Sequence, residues 1–256
     1  MGRIISLSNQ KGGVGKTTTC INLAAYLAEL GQKVLVIDLD PQGNAGSGLG
    51  VHKDELNQTI YNVIIEGLDI RKIIVQSSIP NLELVPANIH LSGAQVELLD
   101  YEQREFKLTY ALSGIRNDYD FVLIDNPPSL GILTLNSLTA SDSVLIPLQC
   151  EYYSLEGLTQ LLKIIQMVQK NFNRELVIDG VILTMFDSRT RLANQVVEDV
   201  REYFQDKVFE AIIPRNVRLS EAPSHGQPIS YYDRSSSGAV SYEKLAKEVI
   251  ERVRAI

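Results

Sequence analysis

The chain has 256 residues, 45% of them hydrophobic, and a net charge of −7. That apolar content suffices for one large core, so a single domain over residues 1–256 is expected. The acidic balance excludes the bulk basic character of a dedicated nucleic-acid binder, and no run of about eighteen apolar residues marks a membrane span. Cys20 and Cys150 are too few for a disulfide framework or a metal cluster and read as packing residues. The first twenty residues read as a strand and a glycine loop, not a signal peptide, which points to a cytoplasmic protein.

In chain order, residues 3–8 form the first apolar run. Lys11-Gly12-Gly13-Val14-Gly15-Lys16-Thr17-Thr18 follows, and then helical spacing over 17–30 (Ile21, Ala24, Ala25, Leu27, Ala28) closed by Gly31. The continuous run 33–38 predicts a buried parallel strand. The glycine-rich stretch 43–50 is expected to be mobile. A strand is predicted over 82–86, a helix over 106–116, and a second buried run over 121–125. Beyond it come strands at 143–147 and 176–185, helices at 155–170 and 191–204, a last strand at 208–213 stopped by Pro214, and a terminal helix at 242–254. Strands alternating with helices of this length imply an α/β fold, a mainly parallel twisted sheet flanked by helices on both faces. Ligands of such sheets sit at the carboxyl ends of the strands.

The glycine stretch lies between a strand and a helix start, which is the context of a phosphate-binding loop. Glycines let successive backbone N–H groups turn towards one anion, and the helix N-terminus adds partial positive charge. In such a loop Lys16 supplies a point charge to the β- and γ-phosphates and Thr17 a hydroxyl for Mg²⁺. The pattern is not the ordinary one. Gln10 stands where the first glycine belongs, and a second lysine, Lys11, stands at the entrance. Two apolar runs end in aspartate at the same sheet edge, giving Asp38 and Asp40 after one strand and Asp125 after another. Asp125 fits a Mg²⁺ ligand, commonly through water. Of the other two, one can hold a loop lysine and the other, Asp40, is preferred for orienting the attacking water.

Lys-Gly-Gly-Val-Gly-Lys-Thr-Thr, Asp38-Leu39-Asp40-Pro41-Gln42-Gly43-Asn44 and Asp125-Asn126-Pro127-Pro128-Ser129-Leu130-Gly131 resemble the ParA/Soj family of deviant Walker A ATPases, a P-loop NTPase fold. The resemblance runs nearly end to end, through Leu183-Thr184-Met185-Phe186-Asp187, Ile213-Pro214-Arg215-Asn216 and Ser220-Glu221-Ala222-Pro223-Ser224. It implies ATP/ADP and Mg²⁺ as ligands, with Gly12, Gly13, Val14, Gly15, Lys16, Thr17 and Thr18 around the phosphates. Thr17, Asp40 and Asp125 fall on the metal side, and Met185, Pro214 and Asn216 near adenine. It also implies an ATP-dependent homodimer in which Lys11 reaches the partner's nucleotide, Gly12 lies at the seam and Asp40 is the hydrolytic aspartate. Arg189 and Arg218, with Arg191 and Arg215 as helpers, match positions that bind DNA without sequence preference. A ParB/Spo0J-type protein would stimulate hydrolysis, and the replication initiator DnaA is a further expected partner. Such a protein is nucleoid-associated. Asn126 stands where the family has a smaller residue.

Two rival readings share the loop. A MinD-like membrane switch needs a basic amphipathic tail, whereas residues 242–256 carry mixed charge and no bulky aromatic face. An iron–sulfur reductase needs two well-placed cysteines, and Cys20 lies inside the loop's helix. His52, His90 and His225 are isolated. The Tyr152-Tyr153 and Tyr231-Tyr232 pairs read as packing, and Glu97, Asp100, Glu102 and Glu105 read as a solvated helical face.

Overall fold

The computed structural model describes residues 2–51, 56–151 and 154–254, the side chains of 154–156 excepted. His52 and the Tyr152-Tyr153 pair lie outside the described residues. Seven strands form one sheet: β1 (Arg3–Leu7), β2 (Val34–Asp38), β3 (Val75–Gln76), β4 (Leu82–Val85), β5 (Phe121–Asp125), β6 (Ser143–Gln149) and β7 (Val177–Thr184). Their order is β3-β4-β2-β5-β1-β6-β7. All pairings are parallel except that of β3, an antiparallel edge. The strands β2, β5 and β6 are buried at every position. A strand covered on both faces has no polar side to alternate with, and the runs of β2 and β5 are apolar up to their closing aspartates for that reason.

Alternate residues feed different cores. Ile5, Leu7, Val34 and Val36 meet α1 (Lys16–Glu29) and the terminal helix on one face. Ile4, Leu35 and Ile37 meet, on the other face, α3 (Ile60–Glu66), α4 (Leu91–Glu97), α5 (Lys107–Ser113) and α6 (Ile132–Ala140). A third cluster joins β6 and β7 to α7 (Ser154–Asn171) and α8 (Arg191–Phe204). After the short α9 (Val217–Glu221) and α10 (Ile229–Tyr232), α11 (Ser237–Arg254) closes the chain with Tyr242, Leu245, Ala246 and Val249 buried against α1. The C-terminal helix is thus docked into the core, as its mixed charge suggested. No described helix is long and apolar enough to cross a membrane.

Four expectations are corrected. Residues 208–213 form no strand: two isolated bridges, Val181–Val208 and Phe186–Pro214, touch β7 and its exit. Between them the amides of Glu210 and Ala211 donate to the carboxylate of Glu248 on α11, so the ladder is interrupted by a side chain. The stretch 43–50 contains a helix, α2 (Asn44–Gly48), with Ala45, Gly46 and Gly48 buried. Its glycines serve close packing: a Cβ on Gly48 would come within 2.4 Å of Ile21. Glu97, Asp100, Glu102 and Glu105 share no helix; they fall at the end of α4 and on the 3-10 turns beyond it, where Glu97 accepts the Tyr61 hydroxyl and Glu105 pairs with Arg104. Finally, α6 was not foreseen, because most of its residues are buried and no polar stripe gives it helical periodicity.

Candidate functional site

The loop after β1 is fixed from both ends. Asn9 donates to the carbonyl of Pro147 at 2.8 Å and accepts the Lys11 amide at 3.0 Å. At the far end the Thr184 hydroxyl donates to the carbonyl of Val14, itself fully buried. Gly13 and Gly15 adopt φ of 73° and 85°, the left-handed region that a side chain disfavours. Gly15 is the N-cap of α1 and offers no side chain to the first amides, which therefore remain free for an anion.

The two lysines differ. Lys16 is buried and donates its Nζ to the carbonyl of Lys11 at 3.0 Å. Burial lowers its pKa, and the carboxylates of Asp125 and Asp40 pull it back up. Lys11 points away, half-exposed, with its Nζ 3.4 Å from Glu151. The two ammonium groups thus have different partners inside one chain, a loop carbonyl for Lys16 and Glu151 for Lys11.

Parallel pairing sets Asp38 beside Asp125 in register. Both are fully buried. Neither carboxylate oxygen of Asp125 receives a well-aligned hydrogen bond, and the Thr17 hydroxyl is the one hydrogen-bonding group that favours its charged form. Burial and the neighbouring Asp38 hold its pKa well above the ordinary carboxylate range, against the pull of the Thr17 hydroxyl and Lys16. A buried, poorly satisfied carboxylate beside a hydroxyl offers oxygens that suit a cation. No cluster of three or more His, Cys, Asp or Glu among the described residues could hold a metal by itself. The donor set therefore fits Mg²⁺, which takes one or two protein oxygens and completes its shell with phosphate and water.

Asp38 does not hold a loop lysine. Its Oδ1 accepts the amide of Asp40 at 3.0 Å, and its Oδ2 the amides of Ala45 at 3.0 Å and Gly46 at 3.3 Å. Burial pushes its pKa up to about 7. Asp40, at 9% exposure, reaches the edge of the site and accepts the Gln42 amide.

Beside the loop lies a cavity of about 540 Å³ that gathers Gly15, Thr18, Met185, Pro214 and Asn216 with Tyr242 of α11. Met185 adopts φ of 52° at the turn out of β7. Asn216 caps α9 through the Arg218 amide and donates to Ser237. The Tyr242 hydroxyl meets Thr19 of α1 at 3.1 Å. Asn9, Thr184 and Tyr242 were missed as site residues; Asn9 and Thr184 had a signal in their position just past a strand or at its last residue, and Tyr242 had none.

The four arginines come from two neighbouring segments, joined where the Arg215 amide donates to the carbonyl of Phe186. Arg189, 85% exposed, is bidentate to Asp187, whose pKa it lowers to about 2. Arg218 pairs with Glu221 at 2.9 Å and Asp233 at 3.5 Å. Arg191 begins α8 and is exposed, and Arg215, in the second segment, is exposed as well.

This geometry has known counterparts. A family described as an AAA domain matches residues 2–178. The sporulation initiation inhibitor protein Soj of Bacillus subtilis is 56% identical over 249 residues, covering 97% of this chain and 98% of its own. The chain belongs to the ParA/Soj family of chromosome-partitioning ATPases. A second ParA/Soj relative, the chromosome partitioning protein ParA of Myxococcus xanthus, is 54% identical over 98% of this chain and 89% of its own. Among solved structures, cobyrinic acid a,c-diamide synthase from Mycobacterium smegmatis with bound ADP and magnesium superposes with a TM-score of 0.87 at 37% identity, over 99% of this chain and 96% of that one. The P-loop fold and its mainly parallel sheet are common to both.

Proposed function

We propose that this chain, one ATPase domain over residues 1–256, binds ATP with Mg²⁺ and works as a partitioning switch. The observation that carries the reading is the buried, poorly satisfied carboxylate of Asp125 beside Thr17 and Lys16 at the mouth of the glycine loop. Residues 12–18 hold the phosphates, with Lys16 on the β- and γ-oxygens. Met185, Pro214 and Asn216 flank the base in the adjoining cavity. Thr17 and Asp125, with Asp40 at the edge, would hold Mg²⁺, which would supply positive charge against that of the phosphates. Asp40 orients the water that attacks the γ-phosphorus; the bond to the bridging oxygen breaks, and ADP and phosphate leave. This chemistry is positioning plus charge stabilisation, so turnover is slow until a partner completes the site.

Lys11 extends from the loop to the nucleotide of a second copy, and Gly12 lies at the seam of the ATP-dependent homodimer. The dimer binds DNA without sequence preference through Arg189 and Arg218, aided by Arg191 and Arg215. Exposed ion pairs such as Arg189–Asp187 are worth about 0–1 kcal/mol, so phosphates can displace their carboxylates. A ParB/Spo0J-type protein stimulates hydrolysis and release, and DnaA is a further target. The protein is cytoplasmic and nucleoid-associated. Sedimentation with plasmid DNA or with anionic liposomes, in ATP and in ADP, tests this reading. Co-sedimentation with DNA in ATP alone is expected. Recovery with liposomes instead establishes the membrane-switch alternative.

A further inference from the structure

The buried carboxylate of Asp38 lies outside the roles assigned above, yet it gathers three backbone amides. The amide of Asp40 lies two residues on, and those of Ala45 and Gly46 belong to the first turn of α2. First-turn amides have no intrahelical partner. Those of Ala45 and Gly46 are satisfied by Asp38, so the carboxylate pins both ends of the loop that carries Asp40. A second turn nests inside the first, where the Gln42 amide donates to Asp40 Oδ1 and the Gly43 amide to the Asp40 carbonyl. Beyond α2, the chain crosses the segment following α9 backbone to backbone. A Cβ on Gly226 would lie 3.0 Å from the Cα of Gly50, and both glycines hold positive φ. The loop is therefore anchored at its start by Asp38 and at its end by this crossing, with Asp40 between.

We propose that Asp38 is a positioning residue for hydrolysis: through the amides of Asp40, Ala45 and Gly46 it fixes the direction in which Asp40 presents its carboxylate. The inference rests on the reading of Asp40 as the hydrolytic aspartate. Asp38 acts through these backbone contacts. Asp38→Asn keeps the side chain's shape and one acceptor, but turns an N–H₂ group towards the amides of either Asp40 or α2. One contact is lost while the strand stays in register. A misplacement near 1 Å costs about 100-fold in rate.

The test is single-turnover hydrolysis of Mg·ATP by the full chain as wild type, Asp38→Asn, Asp40→Ala and the double variant, with ATP affinity measured in parallel. Asp38→Asn is expected to slow hydrolysis about 10- to 100-fold with ATP affinity within about threefold of wild type. The double variant is expected to be no slower than Asp40→Ala alone, since residues that act as a unit are not additive. An unchanged rate for Asp38→Asn, a loss of ATP affinity, or a double variant slowed by both full factors overturns the proposal. A normal rate for Asp40→Ala would instead remove the hydrolytic assignment on which it stands. Should Asp38→Asn fail to fold, amide hydrogen exchange in the wild type decides. The Ala45 and Gly46 amides must be protected relative to Asn44, the other residue of that turn, and exchange at its rate overturns the proposal.

Discussion

Replacing Asp125 with Asn separates what the site costs the fold from what it does for the ligand. In the ligand-free protein the Asp125 carboxylate is buried, receives no well-aligned hydrogen bond, is favoured as an anion only by nearby Thr17 and Lys16, and sits in register with Asp38. A buried unsatisfied polar group costs about 1–3 kcal/mol, and more when charged. Asn keeps the shape, removes the charge and can donate to the neighbouring carboxylate. The ligand-free variant is therefore expected to be more stable than wild type by about 1–3 kcal/mol, which for a chain of this size raises Tm by roughly 3–10 °C. Mg·ATP at about 100 times its Kd adds about 2.7 kcal/mol to the wild type, and the variant should lose most of that increment. Thermal melts in mildly alkaline buffer, with and without Mg·ATP, read both effects in one experiment. A ligand-free variant less stable than wild type would mean that the carboxylate is satisfied in the folded chain, and the argument for a cation site would fall.

Asp38 has a folded-state pKa raised from 3.8 to about 7 by burial. The folded chain then holds its proton at pH values where the unfolded chain has lost it, so this contribution to stability is complete below about 4 and fades as pH rises to about 7. Ligand-free chemical denaturation should show that decline, and Asp38→Asn should flatten it. Gly12→Val should fold, because a Cβ there meets Pro128 only at 3.7 Å within the chain, yet abolish ATP-dependent dimerisation in analytical ultracentrifugation; dimerisation at wild-type strength would move the seam elsewhere. Arg189→Ala with Arg218→Ala should leave the dimer intact and remove four cationic contacts from it, so the slope of log affinity for DNA against log salt should fall by roughly 3–4; an unchanged slope places the DNA patch on other residues.

What was legible in the sequence was whatever had a periodic or a compositional cause. The strands at 33–38 and 121–125 are continuous apolar runs because both faces are covered, and helix 191–204 announces itself by a wet and a dry side. The glycine loop was legible because left-handed backbone and close approach to an anion demand that residue at fixed spacing. Illegible elements were set by tertiary contacts. Nothing local tells that Glu248 takes the amides of Glu210 and Ala211 and so breaks a strand, or that Asp38 satisfies the first turn of a helix rich in glycine. Intrinsic propensity argues against helix at Asn44–Gly48, and one buried carboxylate outweighs it.

The two lysines show how far one chain can go towards a complete site. Lys16 is buried, bound to the loop's own carbonyl and flanked by Asp125 and Asp40, so the negative charge of one chain is already matched to it. Lys11 has only Glu151, at 3.4 Å and with both groups open to solvent. Such a pair is worth about 0–1 kcal/mol, too little to account for a second lysine in a loop whose usual pattern has none. A triphosphate carries more charge than one lysine and one magnesium ion neutralise, and the cradle of Gly12 to Thr18 has no further cation among the described residues that line it. The cation at hand is the half-exposed Lys11, which the proposed dimer would bring to the phosphates of another chain. Under the proposed dimer, the excess charge of the ligand and the surplus lysine of the loop would be one requirement, met by two chains closing over two nucleotides.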